Sequence, residues 1–491
     1  MNSLGGKFKL EEATIASVHL AMEKGLITCS QLIEMYIKRI QDYDKQGPSL
    51  NSVIMINPNA LKIADELDKQ FKESGLTGSL HGIPVLLKDN INTSDMATTG
   101  GSLSLENFIP QEDAFITKKL KEAGAIILAK VNLHEFAVWG ETISSILGQT
   151  LNPYDFTRTP GGSSGGTGAG IAANFGIIGI GTDTINSIRS PASACNLVGF
   201  RPTIGLVSRS GIIPYSLTQD TAGPIMRTVE DTAKVLDVIV GYDAADPATA
   251  WSIGHIPETY TKFLNKDGLR GKRIGILKSF FGEEKIHEEV NSIIYESLEV
   301  MKNNGALLIP IEEEINTDEL VNEVSVHLYE LKAHLNSYLE KLEPKAKVSS
   351  LTDIIASGKY HKGIEENIKL AETLDINTSE YNKRIAKREE LKNLIMEIMA
   401  KYNLDAIVYP HQKQAVVKIG KIQVDRNGVL GSVTGFPSCV LPAGFTKPTL
   451  TAPIGVPVGL EILSRKWSEP VLFEIAYGFE YVTNHRKVPI L

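Results

Sequence analysis

Residues 148–211 constrain this chain more than any other part of it. They are dense in Gly, Ser, Thr and Pro, yet Ile, Ala and Val recur throughout, so the segment lacks the uniform polarity of a disordered linker. Glycine-rich backbone with this much apolar content is read as turned tightly and packed inside a fold. There, small residues leave backbone N–H groups free to meet a ligand. Two compact signals lie within it: Gly161-Gly162-Ser163-Ser164-Gly165-Gly166-Thr167-Gly168, and Gly181-Thr182-Asp183-Thr184-Ile185-Asn186-Ser187-Ile188-Arg189 followed by Pro191-Ala192. A third lies upstream, where Lys88 ends an apolar run and stands beside Asp89.

On either side of this centre, helical and strand patterns alternate, which points to an α/β sheet. Thr28-Cys29-Ser30-Gln31 reads as a capping box ahead of a helical face made by Leu32, Ile33, Tyr36, Ile37 and Ile40. Further helices are predicted over 60–73, 114–123, 229–240, 286–303 and 471–481. Strands are predicted over 83–87, 125–129, 273–277, 307–311, 405–409, 440–442 and 459–463. The run 171–180 carries Asn174 and is read as buried core. Residues 318–402 are charged and almost wholly helical in pattern, most simply a solvated face over core helices. No internal repeat or linker composition divides the 491 residues, so one domain over 1–491 is expected.

Charge narrows the partners. A formal net charge of −8 and a pI near 5.8 argue against nucleic acid and against an anionic membrane surface. Residues 1–10 lack the apolar core of a secretory signal, and no stretch of about 18 apolar residues could span a bilayer. Three scattered cysteines (Cys29, Cys195, Cys439) suit a reducing compartment better than a disulfide framework, so a cytoplasmic location is expected. The ten histidines show no metal-like spacing, and His134-Glu135 is not followed by a second histidine four residues on. His81 is read as a loop residue and Cys195 as a small buried hydrophobe. Neither a metal nor a cofactor is expected.

The glycine run does not fit phosphate binding, because no lysine follows it as a P-loop demands. Gly168, Gly170 and Ala173 fit a loose dinucleotide spacing, but no strand precedes them. Residues 161–165 satisfy GxSxG, which makes a Ser163-based α/β-hydrolase esterase an alternative. That elbow needs a strand immediately before it, where this chain has Pro160. A serine becomes a nucleophile when a neighbouring base takes its proton, and a lysine can serve if burial keeps it neutral. Lys88, at the end of a buried strand, suits that role, and a second serine can relay the proton.

The run from Gly82 to Asp89, the PGGSSGG of residues 160–166 and GTDTINSIRSPA at 181–192 together resemble the amidase signature family. Ser163 and Ser187 lie 24 residues apart, as that family's paired serines do. Val198-Gly199-Phe200-Arg201-Pro202-Thr203-Ile204-Gly205, Gln219-Asp220-Thr221-Ala222-Gly223-Pro224 and Trp467-Ser468-Glu469-Pro470 extend the likeness. It is dense over about 80–245, returns over about 425–485 and is thin between. The resemblance implies a single α/β domain whose central mixed sheet is flanked by helices on both faces, with a variable helical part at about 313–402 that roofs the pocket and sets substrate choice. It implies amide hydrolysis through a Ser187 acyl-enzyme, with Lys88 as a neutral general base. Ser163, on a cis peptide bond, is the implied relay, and the backbone N–H groups of Thr184, Ile185, Asn186 and Ser187 the implied oxyanion hole.

Asp183 and Arg189 are expected to brace the nucleophile loop as a buried ion pair, and Ser164 to hold the turn. A small-molecule amide is the implied partner, with the chain acting as a monomer or homodimer. Stand-alone bacterial amidases and peptide amidases are the nearest in pattern, notably around Ser208-Arg209-Ser210-Gly211-Ile212-Ile213-Pro214. The amidase subunit of a tRNA-dependent amidotransferase is the near alternative. Many members read Gly-Gly where this chain has Ile185-Asn186. Because β-branched Ile tolerates left-handed backbone poorly, Ile185 is expected to keep a negative φ and to narrow the pocket.

Overall fold

In a computed structural model describing residues 8–342 and 346–491, the chain is built on one eleven-stranded mixed sheet. Its strands in chain order are β1 (Val53–Ile56), β2 (Pro84–Lys88), β3 (Ile126–Val131), β4 (Ile178–Asp183), β5 (Val198–Arg201) and β6 (Thr221–Met226). They continue with β7 (Arg273–Leu277), β8 (Leu307–Ile311), β9 (Ala406–Pro410), β10 (Ser438–Phe445) and β11 (Pro457–Leu463). Their spatial order is β1-β3-β2-β4-β6-β5-β10-β11-β9-β7-β8. β3, β2 and β4 run parallel to one another, as do β9, β7 and β8, while the middle of the sheet is antiparallel. Every residue of β2, β3 and β4 is buried. This explains why β2 and β3 read as near-continuous apolar runs instead of alternating, each interrupted only by its lysine.

Small residues set the distance between helix and sheet at the centre. The wholly buried helix Gly165–Ala172 packs against β2 and β4. A Cβ added at Gly170 would lie 2.7 Å from Leu86 Cδ1, and one at Gly166 would lie 2.3 Å from the Asn132 carbonyl oxygen. Any larger residue there would lift the helix off the strands that carry the site. The expectation of tightly packed glycine backbone over 148–211 therefore holds.

The predicted helices and strands all appear, with ends displaced by a few residues; the helix expected over 286–303, for instance, is Glu288–Asn303 after a 3-10 turn. Residues 318–402 do more than cover the core. Helices His327–Lys341, Leu351–Ser357 and Glu365–Thr373 enclose an apolar cluster of their own. Leu331, Leu335, Ile354 and Ile368 there meet Phe136, Ile213 and Tyr215 of the main body. Helix Ser379–Lys401 covers a second cluster through Leu391, Ile395 and Ile398. No helix among the described residues is long and apolar enough to cross a membrane. Residues 1–7, part of the N-terminal stretch read for a leader, lie outside the described residues.

Candidate active site

Lys88 is the last residue of β2, and Thr182 stands near the end of the parallel neighbour β4, with Leu87 paired to Ile180. Both side chains therefore emerge at the same carboxyl edge, where parallel sheets open a crevice. Lys88 is fully buried. Its Nζ donates to Ser163 Oγ at 2.8 Å and to Thr182 Oγ1 at 2.8 Å, with the Thr182 carbonyl at 3.4 Å. Asn90 Nδ2 also donates to Thr182 Oγ1, at 3.0 Å. Burial pushes the amine down from its usual range to about 7, against the upward pull of Asp183 and Asp220, neither of which forms an ion pair with it. Lys130, the other fully buried lysine, has Asp89 at 3.2 Å and the Ile91 carbonyl at 2.7 Å. Burial lowers the Lys130 amine as well, opposed there by Asp89, whereas no carboxylate among the described residues pairs with Lys88.

Ser163 follows a cis peptide bond from Gly162 and is fully buried. Its carbonyl accepts the His134 N–H at 3.0 Å. Ser164 holds the turn as expected, donating its hydroxyl to the Thr182 carbonyl at 3.1 Å. The residues before Ser163 form no strand, and its hydroxyl faces Lys88. The geometry of a strand-to-helix nucleophile elbow is absent, which removes the basis for the Ser163 esterase alternative.

The loop from β4 to helix Arg189–Ala194 arranges its backbone one-sidedly. All four carbonyls of residues 184–187 are held: Thr184 O by Gln219 Nε2 at 3.2 Å, Ile185 O by Arg189 Nη2 at 2.8 Å and by the Ser432 hydroxyl, Asn186 O by Ser190 N at 2.7 Å, and Ser187 O by Ser164 N at 3.2 Å. None of the four N–H groups has a partner among the described residues. A run of unpaired donors beside engaged acceptors is the arrangement that receives a negatively charged oxygen.

Buried charges keep the loop in this shape. Asp183 accepts from Arg189 Nε at 3.0 Å, Arg201 Nη1 at 2.8 Å and the Ile188 N–H at 3.0 Å. Burial alone would raise its carboxyl, but the two guanidinium groups outweigh that and hold it well below the usual carboxylate range. Arg189 also meets Glu461 at 2.5 Å, and Glu461 accepts from Tyr409 at 3.1 Å and lies 2.6 Å from His411 Nδ1. Thr184 Oγ1 donates to Asp220 at 2.5 Å. The expected Asp183–Arg189 pair is thus one part of a larger network.

Ser187 lines a cavity of about 330 Å³ with Thr184, Ile185 and Asn186. Ile185 has no left-handed backbone and forms part of the wall beside Ser187, as expected. Asp318, Val321 and His327 also line the cavity. Ser187 Oγ makes no hydrogen bond to the described residues. The turn that brings Ser163 to Lys88 is tied to the loop that carries Ser187 by the Ser164 N–H, which donates to the Ser187 carbonyl at 3.2 Å. Cys195 is buried and its thiol is pushed up by burial, as befits a structural residue. His81 sits in a turn beside Thr77, 2.8 Å from its hydroxyl. His134 is fully buried and burial takes it down to about 3, so it is neutral. Among the described residues no cluster of His, Cys, Asp or Glu could hold a metal ion.

Thr182 and Arg201 lay inside quoted motifs without an assigned part, and Asn90 directly follows one. Ser432, Glu461 and His411 reach the loop from more than two hundred residues away in sequence, and no local pattern marks them.

Comparison with known proteins gives the family. The profile of the family described as Amidase matches residues 31–473. The chain belongs to the amidase family. A probable amidase of Arabidopsis thaliana is 35% identical over 99% of this chain and 93% of its own length. The peptide amidase from Stenotrophomonas maltophilia superposes with a TM-score of 0.88 at 37% identity, covering 98% of this chain and 99% of that one. A glutamyl-tRNA(Gln) amidotransferase subunit of Thermoanaerobacter pseudethanolicus is 33% identical over 98% of each chain.

Proposed function

We propose that this amidase cleaves a carboxylic amide through an acyl-enzyme on Ser187, with Ser163 as proton relay and Lys88 as base. The observation that carries this reading is a fully buried lysine 2.8 Å from Ser163, with no carboxylate partner among the described residues, together with a neighbouring loop whose four N–H groups have no partner among those residues. With its amine pushed down to about 7, Lys88 has its neutral form within reach near neutral pH. Neutral Lys88 takes the proton of Ser163, which takes that of Ser187 as Ser187 Oγ adds to the amide carbon. The N–H groups of Thr184, Ile185, Asn186 and Ser187 receive the oxyanion, a stabilisation that acts mainly on the transition state. Ser163 then passes a proton to the leaving nitrogen, the C–N bond breaks, and ammonia or an amine departs. Water, deprotonated along the same path, adds to the acyl carbon and releases the acid.

A cavity of about 330 Å³ supports a small or mid-sized acyl group. The peptide amidase likeness favours a stand-alone enzyme, as a monomer or homodimer. Three buried cysteines without disulfides support a reducing compartment such as the cytoplasm. The test is ammonia release from a panel of primary amides, where Ser187→Ala should lower turnover about 10⁴-fold or more. Retained turnover in Ser187→Ala would defeat the proposal. The likeness to one chain of an amidotransferase defines a second outcome: copurification in a stoichiometric complex with another chain, and glutamine as the preferred amide, would replace the stand-alone reading.

A further inference from the structure

Asn186 immediately precedes Ser187, lines the same cavity and is 2% exposed. Its backbone carbonyl is engaged by Ser190, but its side-chain carboxamide makes no hydrogen bond to the described residues. Nδ2 is sealed inside the wall, whereas Oδ1 is not sealed. Asn186 lines the cavity, and Oδ1 is the polar end of its side chain left accessible. Its position is confined from behind, since Gly428 packs so closely that an added Cβ would lie 2.8 Å from Asn186 Cβ and 2.6 Å from His411 Cε1. His411 is itself fixed, with Nδ1 2.6 Å from Glu461.

An unpaired acceptor beside the nucleophile discriminates between leaving groups. A scissile amide presents N–H donors on the atom that leaves, whereas an ester presents only an acceptor oxygen there. A buried polar group matched by one substrate and left unpaired by the other separates the two strongly.

We propose that Asn186 is a specificity-determining residue whose Oδ1 accepts an N–H of the scissile amide, so that the site prefers amides over esters of the same acid. This rests on Ser187 being the acylated residue. The backbone N–H of Asn186 serves any carbonyl substrate alike, so loss of the side chain is read in the ratio between substrates and not in either rate alone.

The experiment measures kcat/KM for a primary amide and for the methyl ester of the same acid, in wild type, Asn186→Ala, Asn186→Gly and Ser187→Ala. The amide-to-ester ratio should fall about tenfold in both Asn186 variants, the worth of one hydrogen bond. Both rates should collapse in Ser187→Ala. An unchanged ratio in the Asn186 variants, with Ser187→Ala inactive, would overturn this proposal and leave the acyl-enzyme reading intact. Activity persisting in Ser187→Ala would overturn that reading itself. A lower fraction of folded enzyme reduces both rates together and leaves the ratio unmoved, so misfolding cannot imitate the expected result.

Discussion

At the scale of residues, two lysines at adjacent strands show how small differences in surroundings decide chemistry. Lys130 and Lys88 are both fully buried, but Lys130 is compensated by Asp89 while Lys88 has hydroxyl partners in Ser163 and Thr182. Hydroxyl groups can accept from an ammonium or donate to an amine, so they allow both protonation states; a carboxylate would enforce the charged one. A pH dependence follows. The base must be unprotonated, and burial sets Lys88 at about 7, so kcat/KM should rise tenfold per unit on the acid side and level off above roughly pH 7. Placing a carboxylate nearby through Thr182→Asp should shift that limb to higher pH. A profile flat from pH 5 to 9 would exclude Lys88 as the titrating base.

At the scale of elements, the loop of residues 184–187 works because its supports come from three directions. Arg189 binds Asp183 from the helix that follows, Arg201 from β5, and Glu461 answers Arg189 from β11. Removing Arg189 would take from buried Glu461 its guanidinium partner and from buried Asp183 one of its two. Arg189→Met should therefore cost about 3–5 kcal/mol, measured as a lowered urea midpoint. It should also slow acylation, because Ile185 O loses its guanidinium donor. An unchanged midpoint would mean the network is not the loop's support. This level was only half legible in the sequence. Asp183 and Arg189 sit six residues apart in one motif, and their pairing follows from that. Glu461, Ser432 and His411 arrive through sheet order and a distant helix, information that no local pattern holds.

At the scale of the whole molecule, the sheet places two parallel strand ends side by side, and Asp318, Val321 and His327 line the cavity that holds Ser187. The α/β class, the single domain and most elements could be read from apolar runs and helical periodicity, because buried parallel strands and amphipathic helices write strong patterns. β4, β5 and β6 were concealed within residues chosen for tight packing or chemistry, where glycine dilutes the strand signal. The separate apolar cluster beneath His327–Lys341 escaped for another reason: its charged surface dominates the composition of that stretch. Because Val321 lines the cavity, Val321→Trp should lower kcat/KM for a bulky acyl amide more than for a small one. Equal losses would place the acyl group elsewhere.

The claim that joins these scales is that Ser187 carries the acyl group and Lys88 activates it. A fluorophosphonate probe followed by intact-mass and peptide mapping tests it directly. One adduct on Ser187, absent in Ser187→Ala and formed at least about a hundredfold more slowly in Lys88→Ala, is the predicted result. An adduct on Ser163, or a rate unaffected by loss of Lys88, would contradict it.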